Sequence, residues 1–439
     1  MARPACRARS LQSGPATWRA ALRRLGTGLV AALSLSLLAA CGGSGSGSGG
    51  TITPTPPPAV KNTATIVVDG GPTGAINANV PYVTVTLCAH GSTTNCQTLS
   101  HVLLDTGSVG FRVLSEVLTV TGLSPATDAS GNKIIECGQF ADGYVWGQVT
   151  TVDLTVGGLT ASNLPIQVIG EQTYAGWVPP SCSNNLPAEN SVATFGANGV
   201  LGIGPFPQDC GVLCTGNAPL TGYYYSCTAA GRCSPAAVST VAQVLNPVPL
   251  FPSDNNGIAI QLPPESAPGT ATAKGTLFFG IGTETNNALP AGTKLYALDD
   301  TGAFTTTFNG TNYTASFLDS GSNAYFFDDS AIATCTNTKY PGFYCGGATQ
   351  ALSATITGQG ANANSVQINF IIDDTSQLLP YNYAVLPSLG GPAGANLPNA
   401  FDWGLPFYYG KTTFQAFQSA TVSGVSAAGP WVGWVASGS

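Results

Sequence analysis

Charge is scarce in this chain. Only 8% of its 439 residues are charged, and only two, His90 and His101, are histidine. Little charge beside frequent Thr, Val and Gly favours strands joined by tight turns over long charged helices. Two histidines also leave little for a zinc site, and Cys210-x3-Cys214 has no matching second cysteine pair, so no metal is expected. A serine hydrolase would need His90 or His101 together with a Gly-x-Ser-x-Gly elbow between strand and helix, and that elbow is missing. Gly280-Ile281-Gly282 lacks the later glycine and the βαβ setting of a dinucleotide site, so no cofactor is expected. A long hydrophobic run is missing too. The longest apolar stretch, residues 29–40, is shorter than the ~20 residues a spanning helix needs.

What is present divides the chain. Six arginines before position 25 precede that apolar stretch, the pattern of a secretory leader over residues 1–40. Leu38-Ala39-Ala40-Cys41 resembles the bacterial lipobox, which implies cleavage before Cys41 and acylation of its thiol. Gly42 follows where an inner-membrane lipoprotein would carry Asp, so the expected destination is the outer membrane, on its periplasmic or outer side. Residues 41–62 then form a Gly/Ser-rich and Pro-rich tether that leads straight into the first expected strand, with no pro-segment between.

Without residues 1–40 the chain keeps 8 Lys+Arg against 21 Asp+Glu, a net charge of −13. Such a surface argues against nucleic acid or anionic lipid as partner, since both need clustered cations. The lipid on Cys41 is the only membrane contact expected. With Cys6 in the leader and Cys41 acylated, ten cysteines remain, an even number in an exported chain. Close spacing suggests Cys88/Cys96, Cys227/Cys233 and Cys335/Cys345 as local staples. The pairing of Cys137, Cys182, Cys210 and Cys214 stays open.

The 55 glycines and 31 prolines make up close to one residue in five, below the ~25–30% of low-complexity disorder. Val83, Val85 and Leu87 alternate with Thr at the period of a half-buried strand. Further strands are expected over 64–68, 101–105, 145–156, 164–169, 257–262, 276–280, 304–308, 314–319, 366–372, 412–416 and 431–435. One short amphipathic helix is expected over 239–245. The fold class is therefore all-β.

One local pattern occurs twice. Val102-Leu103-Leu104-Asp105-Thr106-Gly107-Ser108 is matched by Ser316-Phe317-Leu318-Asp319-Ser320-Gly321-Ser322. In each, an apolar strand runs into Asp-hydroxyl-Gly-hydroxyl, where Gly permits a tight turn and main-chain N–H groups and hydroxyls can hold the carboxylate. One such turn is commonplace; two, each after an apolar run, suggest two related lobes that face each other. Two carboxyls meeting about such an axis cannot both ionise, so one proton is shared. One then activates water while the other protonates a carbonyl.

These motifs resemble the pepsin-like aspartic proteases, and the likeness extends over residues 63–439. Asn198-Gly199-Val200-Leu201-Gly202-Ile203-Gly204 is similar to that family's apolar-apolar-Gly segment, and Phe401-Asp402-Trp403-Gly404 to its second copy. Residues 140–147 and 152–158 resemble the flap hairpin and the strand after it. The resemblance implies a diverged, lipid-anchored bacterial member with two β-lobes about a cleft, 63–285 with the inter-lobe strands and 286–439. It implies Asp105 and Asp319 as catalytic pair, Thr106 and Ser320 as inner cross-linking hydroxyls, Ser108 and Ser322 as outer ones, and Gly107 and Gly321 for loop geometry. It implies a monomeric endopeptidase that takes a peptide or protein substrate in the cleft.

Three positions depart from the family. Phe140 stands where the flap Tyr is usual, which leaves Phe140, Tyr144 and Trp146 as flap candidates. Arg112 stands at a usual Trp, and Leu405 at the usual acid after the second Gly. The alternative function is a weak or inactive pepsin-like lipoprotein that binds peptide or glycan. The four-cysteine stretch 205–235 has no counterpart in the resemblance.

Overall fold

The computed structural model describes residues 61–216, 220–336, 341–361 and 363–437. The expected leader, Cys41 and nearly all of the tether lie outside the described residues. Among these residues no helix is long and apolar enough to cross a membrane.

The described chain folds as two β-sheets of fifteen and seven strands. The two-lobed, all-β architecture expected from the sequence is the one observed. In the first lobe, Pro81–Ala89 pairs antiparallel with Cys96–Asp105. Val83, Val85 and Leu87 are buried while Thr84 faces out, as a strand with one wet face requires. Cys96–Asp105 runs parallel to Gly199–Ile203, with Asp105 opposite Gly202. Gly199–Ile203 pairs antiparallel with Val109–Leu114, the strand that leaves the Asp105 loop.

The second lobe repeats this arrangement. Thr311–Leu318 runs parallel to Asp402–Trp403, which pairs antiparallel with Tyr325–Phe326, the strand that leaves the Asp319 loop. Each lobe therefore inserts a third strand between the two flanking its Asp loop. That holds the loop at the end of a three-strand block. The first lobe's interior is mainly aliphatic, whereas the second is filled by rings, with Phe327 stacked on Phe401 at 4.8 Å and Phe401 on Trp403 at 4.4 Å.

The lobes are joined by strands from both halves. Thr63–Val68, Ala273–Phe279, Gly257–Gln261, Lys411–Ala416, Trp431–Ala436 and Leu295–Ala297 follow one another edge to edge. Gly257–Gln261 pairs along its whole length with Lys411–Ala416. A division of the chain at 285/286 therefore cuts through one continuous sheet.

Two details differ from expectation. Residues 239–245 form turns and no helix. The N–H of Val244 donates to the Tyr224 hydroxyl at 2.7 Å, and the Gln243 side chain ties itself to Gly211 and Val238. A tertiary partner thus takes the Val244 N–H, which a helix would have paired internally. The stretch 205–235 supplies the hairpin Tyr224–Cys227 and Cys233–Pro235, which extends the edge of Lys133–Gln139. The three expected staples form. The four open cysteines pair as Cys137–Cys182 and Cys210–Cys214. Five disulfides suit an oxidising, exported setting.

Candidate active site

The loops after Cys96–Asp105 and Thr311–Leu318 meet and lock. The N–H of Thr106 donates to Ser320 Oγ at 3.1 Å, and the N–H of Ser320 donates to Thr106 Oγ1 at 2.9 Å. Each hydroxyl also crosses to the other lobe, Ser320 Oγ donating to the Leu104 carbonyl at 2.8 Å and Thr106 Oγ1 to the Leu318 carbonyl at 3.4 Å. Four bonds between buried groups therefore fix one loop against the other.

The two carboxyls converge at Gly321. A methyl group built there would lie 2.7 Å from Asp105 Oδ1 and 3.1 Å from Asp319 Oδ1, so these oxygens are no more than about 6 Å apart. Gly321 does not adopt a positive φ; what excludes a side chain is the carboxyl pair itself. Asp105 accepts from the N–H groups of Gly107 at 2.8 Å and Ser108 at 3.2 Å, and from the Ser108 hydroxyl. Asp319 accepts from the N–H of Gly321 at 2.7 Å and from Ser322 Oγ at 3.1 Å. Both acids have no exposed surface. Burial and then the Asp105 charge push Asp319 well above the ordinary carboxylate range, with Asp402 and a side-chain hydrogen bond to Asp105 adding to the effect. Beneath the loops, the buried Tyr408 hydroxyl lies 2.9 Å from Thr106 Oγ1. Beside the first loop, a crevice between the lobes is lined by Gly107, Ser108, Phe206, Gln208, Leu298 and Phe317.

The flap candidates have other partners. Phe140 is buried in a cluster with Tyr82, Leu103 and Val200, its ring 6.0 Å from Phe195. Trp146 is buried against Tyr225 at 5.4 Å, and its indole N–H donates to the Tyr174 carbonyl at 3.0 Å. Tyr144 is half-buried and bridges its backbone to Pro187 and Glu189. The hairpin they occupy is pinned: Cys137–Cys182 ties its first strand to the Pro180–Ser183 helix. At its tip, the Ala141 carbonyl accepts from Asn396 Nδ2 at 2.9 Å, which joins the flap to the second lobe.

Where the resemblance places a Trp, Arg112 is wholly buried. Its Nη1 donates to the Val109 carbonyl at 2.8 Å, its Nε donates to Glu136 Oε2 at 3.2 Å and its Nη2 to Glu136 Oε1, while Asp209 Oδ2 is 3.6 Å from Nη2. Tyr224 donates to Asp209 from the other side, at 2.7 Å. Burial, then the Glu136 charge, raise Asp209 well above the carboxylate range against the opposing pull of Arg112. One guanidinium thus joins the returning strand, the flap strand and the 205–235 stretch.

Three functional candidates lay outside the sequence reading. Asn79 bolts the lobes together, donating to the carbonyls of Asn323 and Leu386 at 2.7 Å each and accepting from the Leu386 N–H and the Tyr409 hydroxyl. Asn396 holds the flap tip. Asp402 is a third carboxyl whose charge bears on Asp319, and in the sequence it stands between Phe401 and Trp403 in the segment similar to the second apolar-apolar-Gly copy. The histidines stand apart from the pair and from each other, His90 on Asp153 at 2.8 Å and His101 on Asp69 at 3.2 Å.

Several buried acids share one direction of shift. Burial pushes Glu171 up to about 7 against a hydrogen bond from Gln148. A carboxyl whose folded value is raised contributes stability that is fully present below its unfolded value, here 4.5, and lost as pH rises through about 7. Asp319, Asp402 and Asp209 act in the same sense. Asp128, Asp153 and Asp374, which hydrogen bonds hold below the usual carboxylate range, act in the opposite sense in stronger acid. Between pH 4.5 and about 7 the raised acids make stability decline, and Glu171→Gln should flatten part of that decline. Thermal midpoints taken across that range check this; an unchanged slope in the variant would refute it.

The chain belongs to the family described as "Protein of unknown function (DUF3443)", whose model matches residues 58–434. Its structure is similar to the crystal structure of an aspartic proteinase from Irpex lacteus. The two are 15% identical, with a TM-score of 0.47, over 86% of this chain and 97% of that one. No curated protein matches the chain.

Proposed function

We propose that this protein is a pepsin-like aspartic endopeptidase, exported and held to the outer membrane by a lipid on Cys41, that hydrolyses peptide bonds with a water activated between Asp105 and Asp319. The observation that carries the reading is the approach of both carboxyls to Gly321. Two buried acids so close hold one proton in common. Asp319, whose affinity for a proton is raised, keeps that proton and donates it to the substrate carbonyl. Asp105 takes a proton from the attacking water and gives it to the leaving amine as the tetrahedral intermediate collapses, while a hydroxyl proton of that intermediate passes back to Asp319. Thr106, Ser320 and the outer hydroxyls hold the geometry, and the inter-lobe cleft takes an extended peptide. The protein acts as a monomer without metal or cofactor.

The full chain, purified after export, should digest denatured protein in the acid range, and a statine-type peptide should block it. Absence of cleavage at every acid pH would sink this reading. A second reading, a pepsin-like lipoprotein that binds peptide or glycan without turnover, is favoured by the fully buried pair and by a flap tied to the second lobe through Asn396. Peptide capture without cleavage would support it.

A further inference from the structure

We infer that Tyr408 is a positioning residue of the proposed pair: its hydroxyl donates to Thr106 Oγ1 and so commits the threonine's own hydrogen to the Leu318 carbonyl, next to Asp319. The inference rests on the aspartic protease reading and adds a residue to the support of its site.

Tyr408 follows the short 3-10 turn Leu405–Phe407. That turn starts on the second lobe's own loop, where the Leu405 N–H donates to the Ser322 carbonyl at 2.7 Å, and the Tyr408 N–H donates back to the Leu405 carbonyl at 2.9 Å. The phenol then reaches across to the first lobe, and its hydroxyl lies 2.9 Å from Thr106 Oγ1. One side chain thus spans from the Asp319 loop to the Asp105 loop. It is buried, and the crevice beside Gly107 is lined without it, so it braces the loops without touching substrate.

Hydrogen counting fixes the direction. Thr106 Oγ1 has one hydrogen and two lone pairs. The Ser320 N–H takes one lone pair at 2.9 Å, and the hydrogen goes to the Leu318 carbonyl at 3.4 Å. One lone pair remains, so Tyr408 donates. The reverse would leave the phenolic hydrogen buried without an acceptor among the described bonds, which costs more than the bond returns. Burial, with the charges of Asp319, Asp402 and Asp105, keeps that hydroxyl protonated against the pull of its bond to Thr106. Of the four bonds that lock the loops, the one to Leu318 is the longest. A hydroxyl that accepts a bond becomes a better donor, so Tyr408 strengthens the weakest corner of the lock. The first lobe has no matching strut. By strand register Trp403, opposite Leu318, matches Leu201, opposite Leu104. Five residues on from each stand Tyr408 and Phe206, and a phenylalanine has no hydroxyl to give.

The full chain carrying Tyr408→Phe, which removes the hydroxyl alone, tests this. The variant should lower kcat by about fivefold to tenfold at unchanged KM. With the lock loosened, Asp319 would feel less of the Asp105 charge and hold the shared proton less tightly, so the alkaline limb of the pH profile should move to lower pH. Tyr344→Phe is the control, since that buried hydroxyl bonds within the second lobe, to the Phe327 carbonyl and the Asp329 N–H. It should leave kcat and the limb unmoved. An unchanged kcat or an unmoved limb in Tyr408→Phe, or an equal change in Tyr344→Phe, would each overturn the inference. A second measurement needs no turnover. In denaturant unfolding with disulfides intact, Tyr408→Phe and Thr106→Val should each destabilise the protein, and Tyr408→Phe should add no loss to that of Thr106→Val. Additive losses overturn the inference. If the unaltered protein cleaves nothing, the protease reading fails, while the unfolding cycle still decides whether Tyr408 donates to Thr106.

Discussion

Replacing Asp105 by Asn is expected to lower kcat/KM for peptide hydrolysis by about 10³-fold or more, the scale on which a positioned acid or base acts. The geometry explains why no neighbour can compensate. Asp105 holds two backbone N–H groups and the Ser108 hydroxyl, and an amide presents the wrong group to one or more of those donors. Asp319 would lose the partner with which it shares a proton, and its affinity for that proton would fall toward the ordinary range. Asp319→Asn should be as damaging, because either change leaves one carboxyl to do the work of two. Binding of a statine-type peptide and the thermal midpoint, measured beside the rate, separate lost chemistry from lost fold. Full cleavage by either variant would exclude the pair as the reacting groups.

The second large effect is expected on stability. Arg112→Met should destabilise the protein by about 3–5 kcal/mol at neutral pH, the cost typical of removing one partner from a buried ion pair. The substitution strands Glu136 and Asp209 beside each other without a cation. Protonation would relieve that repulsion, so the loss should shrink in acid. Glu136→Gln and Asp209→Asn added to Arg112→Met should recover part of it, since a neutral polar cluster carries no uncompensated charge. Denaturant unfolding with disulfides intact checks both points. A loss that is the same at acid and neutral pH would show that Arg112 acts by packing and not by charge.

Local features were legible in the chain. Val83, Val85 and Leu87 announced their strand because side chains alternate faces along one segment. Cys88/Cys96, Cys227/Cys233 and Cys335/Cys345 could be paired because short loops bring their ends together. Cys137 and Cys182, 45 residues apart, could not be matched that way, since their contact depends on how a helix docks on the flap strand. Residues 239–245 misled for a related reason. Their periodicity suited a helix, but Tyr224 and Gln243 drew the backbone into turns. The aromatic flap candidates were plausible from order alone, yet neighbours brought by the 205–235 stretch decided where Trp146 packs.

By itself the sequence determined two similar Asp loops, each preceded by a strand apolar enough to be buried, and an all-β chain to carry them. These are properties of residues that are neighbours along the backbone. Only the tertiary structure decided that the loops lock across 214 positions, that the flap is tied to the second lobe by Asn396, and that the charge of Asp402 bears on Asp319. Such facts arise from the docking of one lobe on the other. The free energy of a buried carboxyl is set by whatever surrounds it in space, and separation along the chain carries no record of that.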